Sequence, residues 1–175
     1  MAGVQTRQDA EKRLTGVVIP VGALRGRGSM GVGEFPDLAD FAVLCKRTGL
    51  GLIQILPVND SGYESGPYSS LTAFALHPVY LRIEDLEEFK QPLPGLREKI
   101  AGYGAQFEKE TRFPFQRICR AKMEILREIY AAHRDGIAKR AAPGGSLARW
   151  IGENPWVKEY AVYRRFKELN GERSW

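Results

Sequence analysis

The chain has 175 residues, 43% of them hydrophobic and 27% charged, with a net charge of +5. That composition suits one globular domain with a core and excludes a disordered chain. Lys and Arg are scattered among Asp and Glu, with no basic block or aromatic-laced stripe, so a nucleic-acid partner is not expected.

The amino-terminal stretch MAGVQTRQDAEKR is polar and has no apolar leader. No later run reaches membrane-spanning length, so we expect no membrane partner and a cytoplasmic location, with residues 1–13 as a flexible arm. Order begins at Leu14. Val17, Val18 and Ile19 form a short strand that Pro20 ends. A loop from Val21 to Gly33 follows, holding five glycines with Arg25 and Arg27, a density that implies sharp turning or close approach by another group.

From Glu34 the apolar period becomes helical. Phe35, Leu38, Phe41, Ala42 and Cys45 share a face, with Pro36 in the first turn and Gly49 as the stop. A second apolar strand, Leu52 to Val58, comes directly after. The order strand, helix, strand predicts a right-handed parallel crossover, with both strands covered on both faces.

At Asn59 the chain turns polar and aromatic. Ligands of parallel sheets bind beyond the carboxyl ends of the strands, so a loop there carrying Tyr63 and Tyr68 is a candidate sugar contact. Phenol rings can lie under a pyranose and hydrogen-bond its rim, and Gly62, Gly66 and Pro67 would fix the backbone. An ordinary surface turn whose tyrosines cover the core is the alternative from these residues alone. Asp60, Glu64 and the carboxylates from Glu84 to Glu88 are read as solvated turn residues rather than general acids or bases. His77 and His133 are read as structural or exposed.

Val79 to Ile83 alternates like a short strand, and Gln91 to Gly95 reads as a stiff linker. Beyond it the chain is helical. Ile118, Cys119, Ile125, Leu126, Ile129 and Tyr130 form one stripe between Pro114 and His133. Leu147 to Ile151 reads as a short turn. Asn154 and Pro155 read as a cap and first helical residue for a helix carrying Trp156, Tyr160, Tyr163 and Phe166. Cys45 and Cys119 fall in apolar helical patterns without metal-ligand spacing and are expected to be reduced core thiols.

Gly26, Gly28 and Gly31 spell GxGxxG between a strand and a helix, which makes a dinucleotide-binding module an alternative function, with Asp60 as the ribose contact. Three details weaken it. The first glycine follows the strand by several residues, Pro36 starts the helix after Gly33, and Asp60 lies beyond the usual spacing of about twenty residues.

Four collinear stretches carry a resemblance: LTGVVIP from Leu14, SMGVGEFPDL from Ser29, IQILPV from Ile53 and GYESGPYSSLTAFA from Gly62, with NPWVKEYAVYRRFK from Asn154 after them. Together they resemble the opening of the amylomaltase, or 4-alpha-glucanotransferase (disproportionating enzyme), family. The resemblance implies an α/β fold, the amino-terminal portion of a (β/α)8 TIM barrel with a helical insertion subdomain. Residues 14–90 would be the first β-α-β of the barrel with its substrate loop, and 91–175 the insertion.

The implied activity moves alpha-1,4-glucan segments between maltooligosaccharides by a retaining double displacement, without metal or organic cofactor. Tyr68 matches the family tyrosine beside the donor subsite and Tyr63 a glucan-contacting tyrosine; Ser65 and Pro67 complete the implied substrate-binding set. Gly66 stands where many members have Ser, and His77 where many have Asn.

A closed barrel needs roughly 250 residues, and no Asp or Glu here matches the family's catalytic carboxylates. The expectation is an amino-terminal part that contacts substrate without the catalytic set, inactive alone. A non-catalytic glucan-binding module is a further alternative.

Overall fold

The computed structural model describes residues 14–90 and 93–173. The expected arm at 1–13 lies outside the described residues, as do Gln91 and Pro92 of the linker. The order is β1 (Gly16–Ile19), α1 (Asp37–Arg47), β2 (Leu52–Ile55), α2 (Leu96–Glu108), α3 (Phe115–Ala141), α4 (Ser146–Glu153) and α5 (Trp156–Leu169). β1 and β2 pair in parallel, with Gly16 opposite Leu52 and Ile19 opposite Ile55.

β2 is shorter than the apolar run that suggests it. Leu56 still donates its N–H to the Ile19 carbonyl at 3.1 Å, but Pro57 has no donor to continue the ladder. The strands are not covered on both faces as expected: Val18 is 60% exposed and Leu52 51%.

The core lies elsewhere. Met30 and Val32 of the glycine-rich loop, Val79, Ile83 and Phe89 pack with Leu96, Ile100 and Phe107 of α2 and with Phe115, Ile118, Ile125 and Ile129 of α3. The two expected segments, 14–90 and 91–175, therefore share one core. The α3 stripe recurs at three- and four-residue steps, as a helix with one buried face requires. Tyr130 leaves that stripe and is exposed. Cys45 and Cys119 are both buried free thiols, as expected.

The glycine-rich loop shows why its glycines are needed. Gly31 has φ of 79°, and a Cβ there would lie 2.5 Å from Phe107 Cβ; one on Gly33 would lie 2.1 Å from the Val21 carbonyl oxygen. The close approach read from the sequence is made by α2 and by the loop's own backbone.

Residues 79–83 are not a strand. Short 3-10 turns span Pro78–Tyr80 and Ile83–Asp85, and the His77 side chain accepts the Val79 N–H. Lys122 of α3 explains the difference: its Nζ donates to the Val79 carbonyl at 2.7 Å and to the Leu81 carbonyl at 2.8 Å, so an ammonium takes the acceptors that a neighbouring strand would use. The Leu147–Ile151 turn is in fact α4. Asn154 does not cap α5; its Nδ2 donates back to the Trp150 carbonyl at 2.9 Å.

Candidate functional site

Beyond the carboxyl ends of both strands lies a cleft of about 490 Å³, lined by Pro20 and Leu56, by Gly22, Ala23 and Arg25 of the glycine-rich loop, by Ser65 and Pro67, by Tyr80, and by Glu110 to Phe113 with Phe115. This is where ligands of parallel α/β units bind. Its walls combine aromatic rings with guanidinium groups. The one carboxylate of the lining, Glu110, is paired with Arg117.

The loop bearing the tyrosines is fixed at its base and exposed at its tip. Asn59 and Leu76 form an isolated antiparallel bridge, and Asp60 donates its N–H to the Ala75 carbonyl and accepts that of Leu71. Asp60 is buried, which corrects its reading as a solvated residue or a ribose contact. Its carboxylate accepts the Gly62 N–H at 2.7 Å and the Tyr160 hydroxyl of α5, and lies 3.5 Å from Arg164 Nε. Burial and the Asp60 bond push the Tyr160 phenol well above its usual range.

His77 ties this base to the cleft wall. Because the Gly62 carbonyl can only accept, Nε2–H donates to it at 2.8 Å, while Nδ1 accepts the Val79 N–H at 3.0 Å. That requires the neutral ring. Burial lowers the His77 pKa, opposed by the Gly62 bond and by Asp60 at 3.6 Å, and helped by Arg164 and Lys122.

The sequence-derived residues separate. Tyr68 is 78% exposed at the loop tip. Ser65 and Pro67 line the cleft. Tyr63 is half-buried against the core, with the Arg120 guanidinium 5.5 Å from its ring centre. Sequence reasoning missed Tyr80, Phe113 and Arg112, which enter the cleft from turns with no motif of their own; the clustered aromatics after Thr111 were the available signal.

The glycine fingerprint does not open a helix. α1 begins at Asp37, whose carboxylate accepts the Glu34 N–H at 2.7 Å and takes Arg82 at 2.6 Å, so its amino end is already occupied by an anion.

The 4-alpha-glucanotransferase family model matches residues 19–175. The chain belongs to the 4-alpha-glucanotransferase family. Among its relatives are a 4-alpha-glucanotransferase DPE2 of Oryza sativa subsp. japonica, 32% identical over 93% of this chain and 17% of the relative, and a 4-alpha-glucanotransferase of Chlamydia caviae, 36% identical over 87% of this chain and 28% of the relative. The crystal structure of amylomaltase from Corynebacterium glutamicum superposes with a TM-score of 0.60 at 26% identity, over 75% of this chain and 21% of that one. This 4-alpha-glucanotransferase family chain thus spans less than a third of each of these three relatives. Among the described residues, no helix is long and apolar enough to cross a membrane.

Proposed function

We propose that this chain supplies one wall of the glucan cleft of a 4-alpha-glucanotransferase that moves alpha-1,4-glucan segments between maltooligosaccharides. In this reading β1, α1 and β2 open a (β/α)8 barrel, residues 91–175 form a helical insertion, and Tyr63, Ser65, Pro67 and Tyr68 contact substrate. The observation that carries it is the cleft at the carboxyl ends of the parallel strands, with the exposed Tyr68 ring beside Pro67 of its lining. An exposed phenol on a loop clamped at its base is a fixed platform for the apolar face of a pyranose.

Transfer with retention needs two carboxyl groups about 5–5.5 Å apart, one as nucleophile and one as acid. The lining holds Glu110 alone, and Arg117 binds it. We therefore assign the reacting carboxylates to elements other than those lining this cleft, and a contacting, non-reacting role to this chain.

Titration with maltotriose and maltoheptaose, followed by tryptophan fluorescence, tests the reading. Saturable binding that weakens about tenfold in Tyr68→Ala is expected from loss of one aromatic platform worth about 1.4 kcal/mol. Binding indifferent to that substitution removes the assigned site. Disproportionation of maltotriose by the 175-residue chain would refute the assignment of the carboxylates elsewhere.

A further inference from the structure

We propose that the groove between the glycine-rich loop and α2 binds a phosphomonoester carried on a sugar, held by Arg25 and Arg27. The sugar half of the proposal rests on the glucan reading of the neighbouring cleft, and the phosphate half stands on the groove alone. The groove has a volume of about 650 Å³, and Arg25, Arg27, Gly28, Ser29, Arg97 and Gly104 are in its lining. It is distinct from the cleft above but meets it, because Arg25 lines both.

The charges in the groove are unequally committed. Arg97 lies 3.6 Å from Glu84 and stands over the Phe89 ring. Arg25 and Arg27 have no ion-pair or hydrogen-bond partner for their guanidinium groups among the described residues. Glu108 is the remaining carboxylate of the lining, so two uncommitted cations face one anion. A guanidinium presents its N–H groups as a planar fork that matches phosphate oxygens, and a concave wall raises its effect over that of a flat surface.

The backbone adds room. Gly28 has φ of 84°, and a Cβ placed on it would touch nothing within 4 Å, so the chain is bare towards open space there. The occupant is not a dinucleotide, because Asp37 already fills the amino end of α1 that a pyrophosphate would need. A sugar is specified by the neighbouring cleft, where Tyr80 and Phe113 offer rings to a pyranose adjoining the phosphate at Arg25.

Amide NMR titration of the whole chain at constant ionic strength tests this, with inorganic phosphate, glucose, glucose 6-phosphate and 6-phosphorylated maltotriose as probes. Glucose 6-phosphate is expected to shift Gly26, Gly28 and Gly104 saturably, several-fold more tightly than inorganic phosphate, with glucose silent at those positions. Arg25→Gln and Arg27→Gln should each weaken it about tenfold or more, the loss of one charge-assisted contact. Arg134→Gln, an equal charge loss on α3, should leave it unchanged.

Tighter binding of the phosphorylated maltotriose would place the ester on a glucan, and equal binding would place it on a free sugar phosphate. Absence of saturation, or an equal loss in Arg134→Gln, overturns the site. Equal affinity for inorganic phosphate and glucose 6-phosphate overturns the sugar.

Discussion

The strand pair and the helical layer are both rich in branched aliphatic residues, yet they use them differently. Ile118 and Ile125 of α3 are wholly inaccessible, whereas Val18 of β1 and Leu52 of β2 lie more than half open. Parallel strands are apolar because a fold covers both their faces; here the buried cluster draws no residue from β1 or β2. Stability in this chain therefore resides where α2 and α3 meet the glycine-rich loop and the turns from Val79 to Phe89, while the sheet chiefly aims two loops at a common cleft.

Lys122 offers the hardest test of that contrast. It is 1% exposed, and its ammonium is held by Glu34 at 2.5 Å and by two carbonyls, although burial lowers its pKa. Lys122→Ala strands the buried Glu34 charge with Arg82 as its remaining partner, and urea unfolding should register a loss of roughly 3–5 kcal/mol. Ile125→Ala, which empties a fully packed position of α3, should cost about 2–5 kcal/mol. By contrast Val18→Thr on the open strand should stay within about 0.5 kcal/mol. A strand substitution as costly as the helix one would mean that the sheet carries the core after all.

His77 gives a smaller effect with a definite sign. Its folded pKa lies below the unfolded value because burial disfavours the charged ring. The unfolded chain thus takes up the proton first as pH falls. Stability from this group is present above about pH 6.5 and is lost progressively as pH drops towards the folded pKa. Protonation also places an N–H against that of Val79, so the join between the loop base and the Tyr80 wall should open. Unfolding free energy measured from pH 7.5 to 5 should slope in the native chain and flatten in His77→Gln; identical slopes would discount the clamp. Tyr68→Ala, the smallest expected stability change, should leave unfolding within about 0.5 kcal/mol, since that ring stands in solvent.

Strand, helix, strand was legible because the apolar period changes at Glu34 and again at Leu52, and the observed β1, α1 and β2 follow those changes. The α3 stripe was equally plain over most of its length. Residues 79–83 misled because their alternation matches a strand, and nothing local reveals that an ammonium 41 and 43 residues away takes the Leu81 and Val79 carbonyls. Asp60 misled for a similar reason. A carboxylate in a run of Asn, Ser and Gly looks solvated until Tyr160 and Arg164 arrive from α5.

Local pattern by itself determined the parallel crossover, most of the buried face of α3 and the polar loop at the strand ends, because hydrophobic period and turn chemistry act over a few residues; on α1 and α5 the expected face residues Ala42 and Phe166 are exposed. The collinear motifs also carried the family. Tertiary structure alone decided which tyrosine faces water, which charges are buried together and which arginines are left unpaired beside a groove. Those outcomes depend on contacts between residues 40 to 100 positions apart, and no short-range rule encodes them.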